Sequence, residues 1–108
     1  MIRRGEIWYV DMGSTYEGSI QGGKRPVVIV SNNKGNYYSP ILLVVPITSS
    51  TTKNDIPTHV KIQLKVPSII LCEQIHTINK DNLISYEGTL TDEEMNDLNR
   101  CLKISIGL

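Results

Sequence analysis

Phenylalanine is absent from the chain, and the aromatic residues amount to five tyrosines and one tryptophan. A core must therefore come mainly from Ile, Leu and Val. Long apolar runs are missing as well. The longest are Val27–Val30 and Ile41–Ile47, far short of the roughly 18 residues a membrane span needs. Arg3 and Arg4 are not followed by the apolar stretch of a secretory signal, so the expected location is the cytoplasm. In that compartment the two cysteines, Cys72 and Cys101, are expected as reduced thiols. One lies in a strand-like run and the other in a helical one, which marks them as buried fillers and not a redox pair. No Cys-x-x-Cys or other metal spacing occurs. The carboxylates Asp11, Glu17, Asp55 and Glu73 are scattered, with no close pair for Mg²⁺. P-loop, dinucleotide and nucleophile-elbow glycine patterns are also missing. No metal or cofactor is expected.

An excess of either charge is lacking too: eleven Lys and Arg balance eleven Asp and Glu. That argues against binding by bulk charge, as in a histone-like protein. The distribution is uneven, however. Residues 1–65 hold eight basic and four acidic side chains, and residues 66–108 hold three and seven. A neutral chain can thus present one basic face to a polyanion. At 108 residues a single domain over 1–108 is expected.

What is present reads mostly as strand. Gly5–Asp11 is rich in β-branched and aromatic residues. Met12–Gly23 reads as a long mobile loop. Pro26–Val30 is continuously apolar, as in a strand buried on both faces. Ser31–Asn36 is a turn cluster. Ile41–Thr48 is a further buried strand ending in the hydroxyl run Thr48–Thr52. In Thr58–Leu64 the residues Val60, Ile62 and Leu64 alternate with His59, Lys61 and Gln63, the pattern of a half-buried strand. His59 falls on its polar face and is expected to be solvated, and His76 lies beside another strand. Ser68–Ile75 reads as a fifth strand, with a short one near Leu83–Tyr86. Thr91 and Glu94 form a capping box, and Met95, Leu98 and Leu102 make the apolar stripe of a C-terminal helix. The expected fold class is mainly β with one terminal α-helix, a small, strongly bent barrel or open roll.

The segment Gln21-Gly22-Gly23-Lys24-Arg25-Pro26 stands apart. Its glycines allow a sharp turn or a close approach to a ligand. Pro26 then sets its own φ and holds Arg25 extended. The result is a guanidinium at the mouth of a strand, where its planar fork can donate twice to a phosphate. Thr48 ends another buried strand and can donate a further hydrogen bond. Arginine is a poor general base, because its pKa exceeds about 12. The pair therefore suits a reaction whose nucleophile belongs to the substrate, as the 2′-hydroxyl of RNA does.

Several blocks taken in order resemble the MazF/PemK-type endoribonuclease toxins of type II toxin–antitoxin systems. They are Arg4–Asp11, Gln21–Val30, Pro46-Ile47-Thr48-Ser49, Pro57-Thr58-His59-Val60 and Glu73–Ile78. The resemblance implies an SH3-like small β-barrel of the CcdB/MazF/PemK kind, acting as a homodimer. It implies metal-independent cleavage of single-stranded RNA at a short sequence, with 2′,3′-cyclic phosphate and 5′-hydroxyl ends. The catalytic pair carries over to Arg25 and Thr48, and RNA contacts to Gln21, Gly22, Lys24, Ser49 and Gln74. A MazE-like antitoxin is the implied partner, and DNA enters only indirectly through it. The chain departs from the family pattern at His76, in place of a common arginine. It departs again at Ile20, in place of an acidic residue, and in a short 64–68 hairpin that is expected to fall short of RNA and antitoxin. Two alternatives stay open: a protein-binding toxin of the CcdB kind, and an inactive relative.

Overall fold

A computed structural model describes residues 1–13, 22–49 and 56–108. Seven strands and two helices follow in order: β1 Glu6–Asp11, β2 Lys24–Ile29, α1 Asn33–Tyr38, β3 Ile41–Thr48, β4 His59–Gln63, β5 Pro67–Leu71, β6 His76–Asn79, β7 Leu83–Thr89 and α2 Asp92–Ser105. All strand pairings among the described residues are antiparallel. The strands run β4-β5-β3-β2-β1-β7, with β6 also on β3. The order does not return on itself, so the sheet is barrel-like but open.

β3 organises the fold. Val44–Pro46 pair with β2, while Ile41–Val44 pair with β6 and Ile47–Thr48 with β5. One strand thus lends its two ends to two partners. That division explains a departure from the sequence reading. The expected single strand over 68–75 stops at Leu71, turns through a Gln74 N–H to Leu71 carbonyl bond of 3.1 Å, and resumes as β6. The 31–36 turn cluster departs as well, because its second half belongs to α1. Asn32 caps that helix by accepting from the Gly35 N–H at 2.7 Å. Asn36 is buried, and its Nδ2 donates to the Ser31 carbonyl at 2.9 Å.

The core forms on both sides of β2, as its continuous apolar run predicts. Val28 joins Ile7, Val45, Ile47, Val60, Ile70 and Leu98. Val27 and Ile29 join Val10, Leu42, Val44 and Ile78. Helix α2 closes the first cluster through Leu98 and Cys101, with Met95 and Leu102 packed at its margin. The capping box is formed: Thr91 Oγ1 accepts from the Glu94 N–H at 3.1 Å, and the Thr91 N–H donates to Glu94 Oε1 at 2.8 Å. Among the described residues no helix is long and apolar enough to cross a membrane.

Candidate active site

The glycine turn before β2 has the geometry its sequence requires. Gly23 sits at φ 72°, a value that disfavours any residue with a Cβ. Its N–H donates to the Gly13 carbonyl at 2.6 Å, and its own carbonyl accepts from the Met12 N–H at 2.9 Å. The two ends of the intervening loop are therefore tied together. Gly22 is buried, and its carbonyl accepts from Arg25 Nε at 2.8 Å. That bond restrains the guanidinium, because an arginine fixed at Nε keeps its two terminal nitrogens in one plane.

Register brings Arg25 to Thr48. Val28 faces Val45 and Val27 faces Pro46. Two residues beyond that last pair, one on each strand, come Arg25 and Thr48. Both line one open cavity of about 620 Å³. Lys24 and Ser49 line it too, so four of the residues expected at the site converge. The 64–68 hairpin also borders this cavity, through Leu64, Lys65, Val66 and Ser68. Short as it is, it reaches the Arg25 site. Gln74 lies in the turn between β5 and β6 and is not among the residues that line the cavity. Gln21 and Ile20 fall outside the described residues.

The cavity is amphipathic. Tyr9, Pro26 and Val66 supply apolar surface above the buried Ile7 and Ile47, while Lys24, Arg25 and Lys65 supply positive charge; among the described residues Glu87 is the one carboxylate that lines the cavity. Such a floor and rim suit a ligand with a flat base and an anionic backbone. Glu87 and Lys65 were missed in the sequence reading. Gly88 within a strand-like run was the available signal for the first, because an isolated strand glycine often marks a bulge; nothing local marks the second.

The histidines differ in their surroundings. His76, at the start of β6, has its ordinary pKa of 6.5 lowered by burial and then by the Arg25 charge. Its Nε2 is buried with no hydrogen-bond partner among the described residues. The imidazole is thus neutral at neutral pH and within electrostatic reach of the candidate catalytic arginine. The expectation of a solvated His59 is corrected. Its side chain is only 6% exposed, and Nε2 meets Glu73 Oε2 at 2.9 Å. Glu73 arrives from the turn after β5 and also accepts from Thr58 Oγ1 at 3.3 Å. Alternation along a strand assigns a face, but it is blind to a neighbouring turn that covers that face. The cysteines are free and buried. Burial chiefly, with smaller contributions from Cys101 and Glu73, pushes the Cys72 thiol up to about 12, which makes it unreactive.

A sequence profile described as "PemK-like, MazF-like toxin of type II toxin-antitoxin system" matches residues 3–106. The chain belongs to this family. The "Endoribonuclease MazF" of Staphylococcus saprophyticus is 44% identical over 113 residues, covering all of this chain and 93% of the relative. Among solved structures, an "Endoribonuclease in complex with its cognate antitoxin from Mycobacterial species" superposes with a TM-score of 0.84 at 31% identity, over 100% of this chain and 97% of the other. MazF from Deinococcus radiodurans superposes at 0.83 with 16% identity, over 99% and 97%. That last likeness concerns the fold alone. It places the open sheet and terminal helix within the barrel-like fold of these toxins.

Proposed function

We propose that this chain is a single-domain endoribonuclease toxin, acting in the cytoplasm as a homodimer on single-stranded RNA. The observation that carries the reading is the meeting of Arg25 and Thr48 at one cation-rimmed, apolar-floored cavity. The 2′-hydroxyl of the substrate attacks the adjacent phosphorus, giving up its proton as the new P–O bond forms. The P–O5′ bond breaks, and the 5′ oxygen gains a proton. The products end in a 2′,3′-cyclic phosphate and a 5′-hydroxyl. Arg25 donates to the non-bridging oxygens as charge accumulates on them, and relays a proton toward the leaving oxygen. Thr48 holds the scissile phosphate. Catalysis of this kind rests on orientation and anion stabilisation. The substrate brings the nucleophile and the guanidinium brings the positive charge, so the chemistry is metal-independent. Lys24 and Ser49 hold the flanking backbone, with Gln21, Gly22 and Gln74 as further RNA contacts.

A cognate antitoxin is the proposed protein partner. An acidic segment with apolar anchors fits the same cavity, its charges on Lys24, Arg25 and Lys65 and its anchors against Val66 and Pro26. The similar mycobacterial endoribonuclease, solved with its cognate antitoxin, supports that pairing.

The decisive test incubates the purified protein with long single-stranded RNA in excess EDTA, beside Arg25→Ala and Thr48→Ala. Discrete cuts are expected from the native protein. Each variant is expected to lose roughly a hundredfold or more in rate, the scale seen when a single oxyanion donor is removed. A folded native protein that cuts none of a diverse RNA would shift the reading to a protein-binding toxin or an inactive relative.

A further inference from the structure

β1 and β7 pair out of step. Ile7 faces Gly88, but Trp8 faces Tyr86, and the two aromatic rings meet edge to face with centroids 5.8 Å apart. Glu87 is therefore the extra residue of a β-bulge. Bulges re-aim a side chain and are over-represented beside active sites. Gly88 makes this one possible by adopting φ 142°, a conformation that L side chains rarely take. The re-aimed Glu87 lines the cavity that holds Arg25 and Thr48. Ser85 Oγ donates to Glu87 Oε1 at 2.8 Å, which fixes the direction of the carboxylate.

A carboxylate has no use for a phosphate, which it repels. When ionised it only accepts hydrogen bonds, so its partner must be a donor. The cavity around it suits RNA in two parts: Lys24 and Arg25 suit the backbone, while Tyr9, Pro26 and Val66 offer an apolar surface to a base. RNA offers donors on its 2′-hydroxyls, one to each, and on its base edges, where two can stand side by side. Uracil sets its one imino donor between two carbonyls, which a carboxylate would also meet. Adenine and cytosine each set an amino group beside a ring acceptor. Guanine alone presents two adjacent donors, N1–H and the N2 amino group, a fork that matches the two oxygens of a carboxylate. We propose that Glu87 is a specificity-determining residue that accepts the Watson–Crick edge of a guanine in single-stranded RNA. This inference rests on the ribonuclease reading above.

The test sequences the ends produced from a random single-stranded RNA pool by the native protein and by Glu87→Gln, which keeps size but loses one acceptor oxygen. The native motif is expected to hold one position where guanine is favoured over uracil by roughly tenfold or more, the scale of a bidentate base contact. Glu87→Gln is expected to reduce that preference to about twofold or less, with the other positions unchanged in rank. Superimposable motifs, or a native motif with no such guanine, would overturn the inference while leaving the ribonuclease reading intact. Absence of any cleavage by the native protein would overturn both.

Discussion

Arg25 and His76 are coupled by charge at one end of the sheet, and the coupling has a measurable sign. Burial and then the Arg25 guanidinium hold the His76 pKa below 6.5. Well above pH 6.5 the imidazole is neutral in both the folded and the unfolded chain, and folding is indifferent to pH through this residue. As the pH falls, the unfolded chain takes up a proton that the folded chain resists. Stability is then lost until the pH has passed the lower folded value. Urea unfolding followed from roughly pH 7.5 to 5 is expected to show a steeper loss for the native protein than for His76→Gln. Parallel curves would exclude His76 as the source. Other residues were less readable from the sequence than this pair. The roles proposed for Arg25 and Thr48 were argued from side-chain chemistry and strand position. The burial of His59 depends on Glu73, fourteen residues away, and no local pattern announces such a partner.

At the scale of elements, local signals and outcomes agree best for α2. Thr91, Glu94 and the acidic first turn Asp92-Glu93-Glu94 announce its start, and its cap is formed as announced. Thr91→Ala removes the side-chain acceptor for the Glu94 N–H. It is expected to cost about 1 kcal/mol, read as a fall in Tm of roughly 4–8 °C for a domain of this size. A Tm within about 1 °C of the native value would mean that water replaces the cap. The strands were legible where periodicity was strong, as in β4. They were less so where the apolar run is continuous. Residues 68–78 carry no sequence break between β5 and β6, because the break is imposed by the two halves of β3, each pairing with a different segment. The end of β7 was hidden for a similar reason. Glu87-Gly88 looks like the close of a strand, yet the ladder continues through a bulge to Thr89.

The whole molecule carries no net charge, yet Lys24, Arg25 and Lys65 converge on one cavity. Binding of RNA there should release counterions in proportion to the phosphates held, about 0.7 per contact for single strands. For three such cations the logarithm of the affinity is expected to fall against the logarithm of salt with a slope near −2, as measured by fluorescence anisotropy on Thr48→Ala to prevent cleavage. A slope near zero would place RNA away from this cavity. The 64–68 hairpin shows why such a convergence escapes sequence reading. Lys65 stands forty residues from Arg25 in sequence, and the two meet at the cavity only because β5 carries the hairpin back along β3 beside β2. By itself, the sequence determined the strand-rich class, the terminal helix with its cap, the glycine turn that presents Arg25, and the family. Those depend on short-range sterics, periodicity and the order of motifs. Only the tertiary structure decided which strands share β3, which face of β4 is covered, and that a bulge turns Glu87 toward the same cavity as Arg25 and Thr48. Each of these depends on contacts between segments far apart in the chain, and such contacts leave no trace in local pattern.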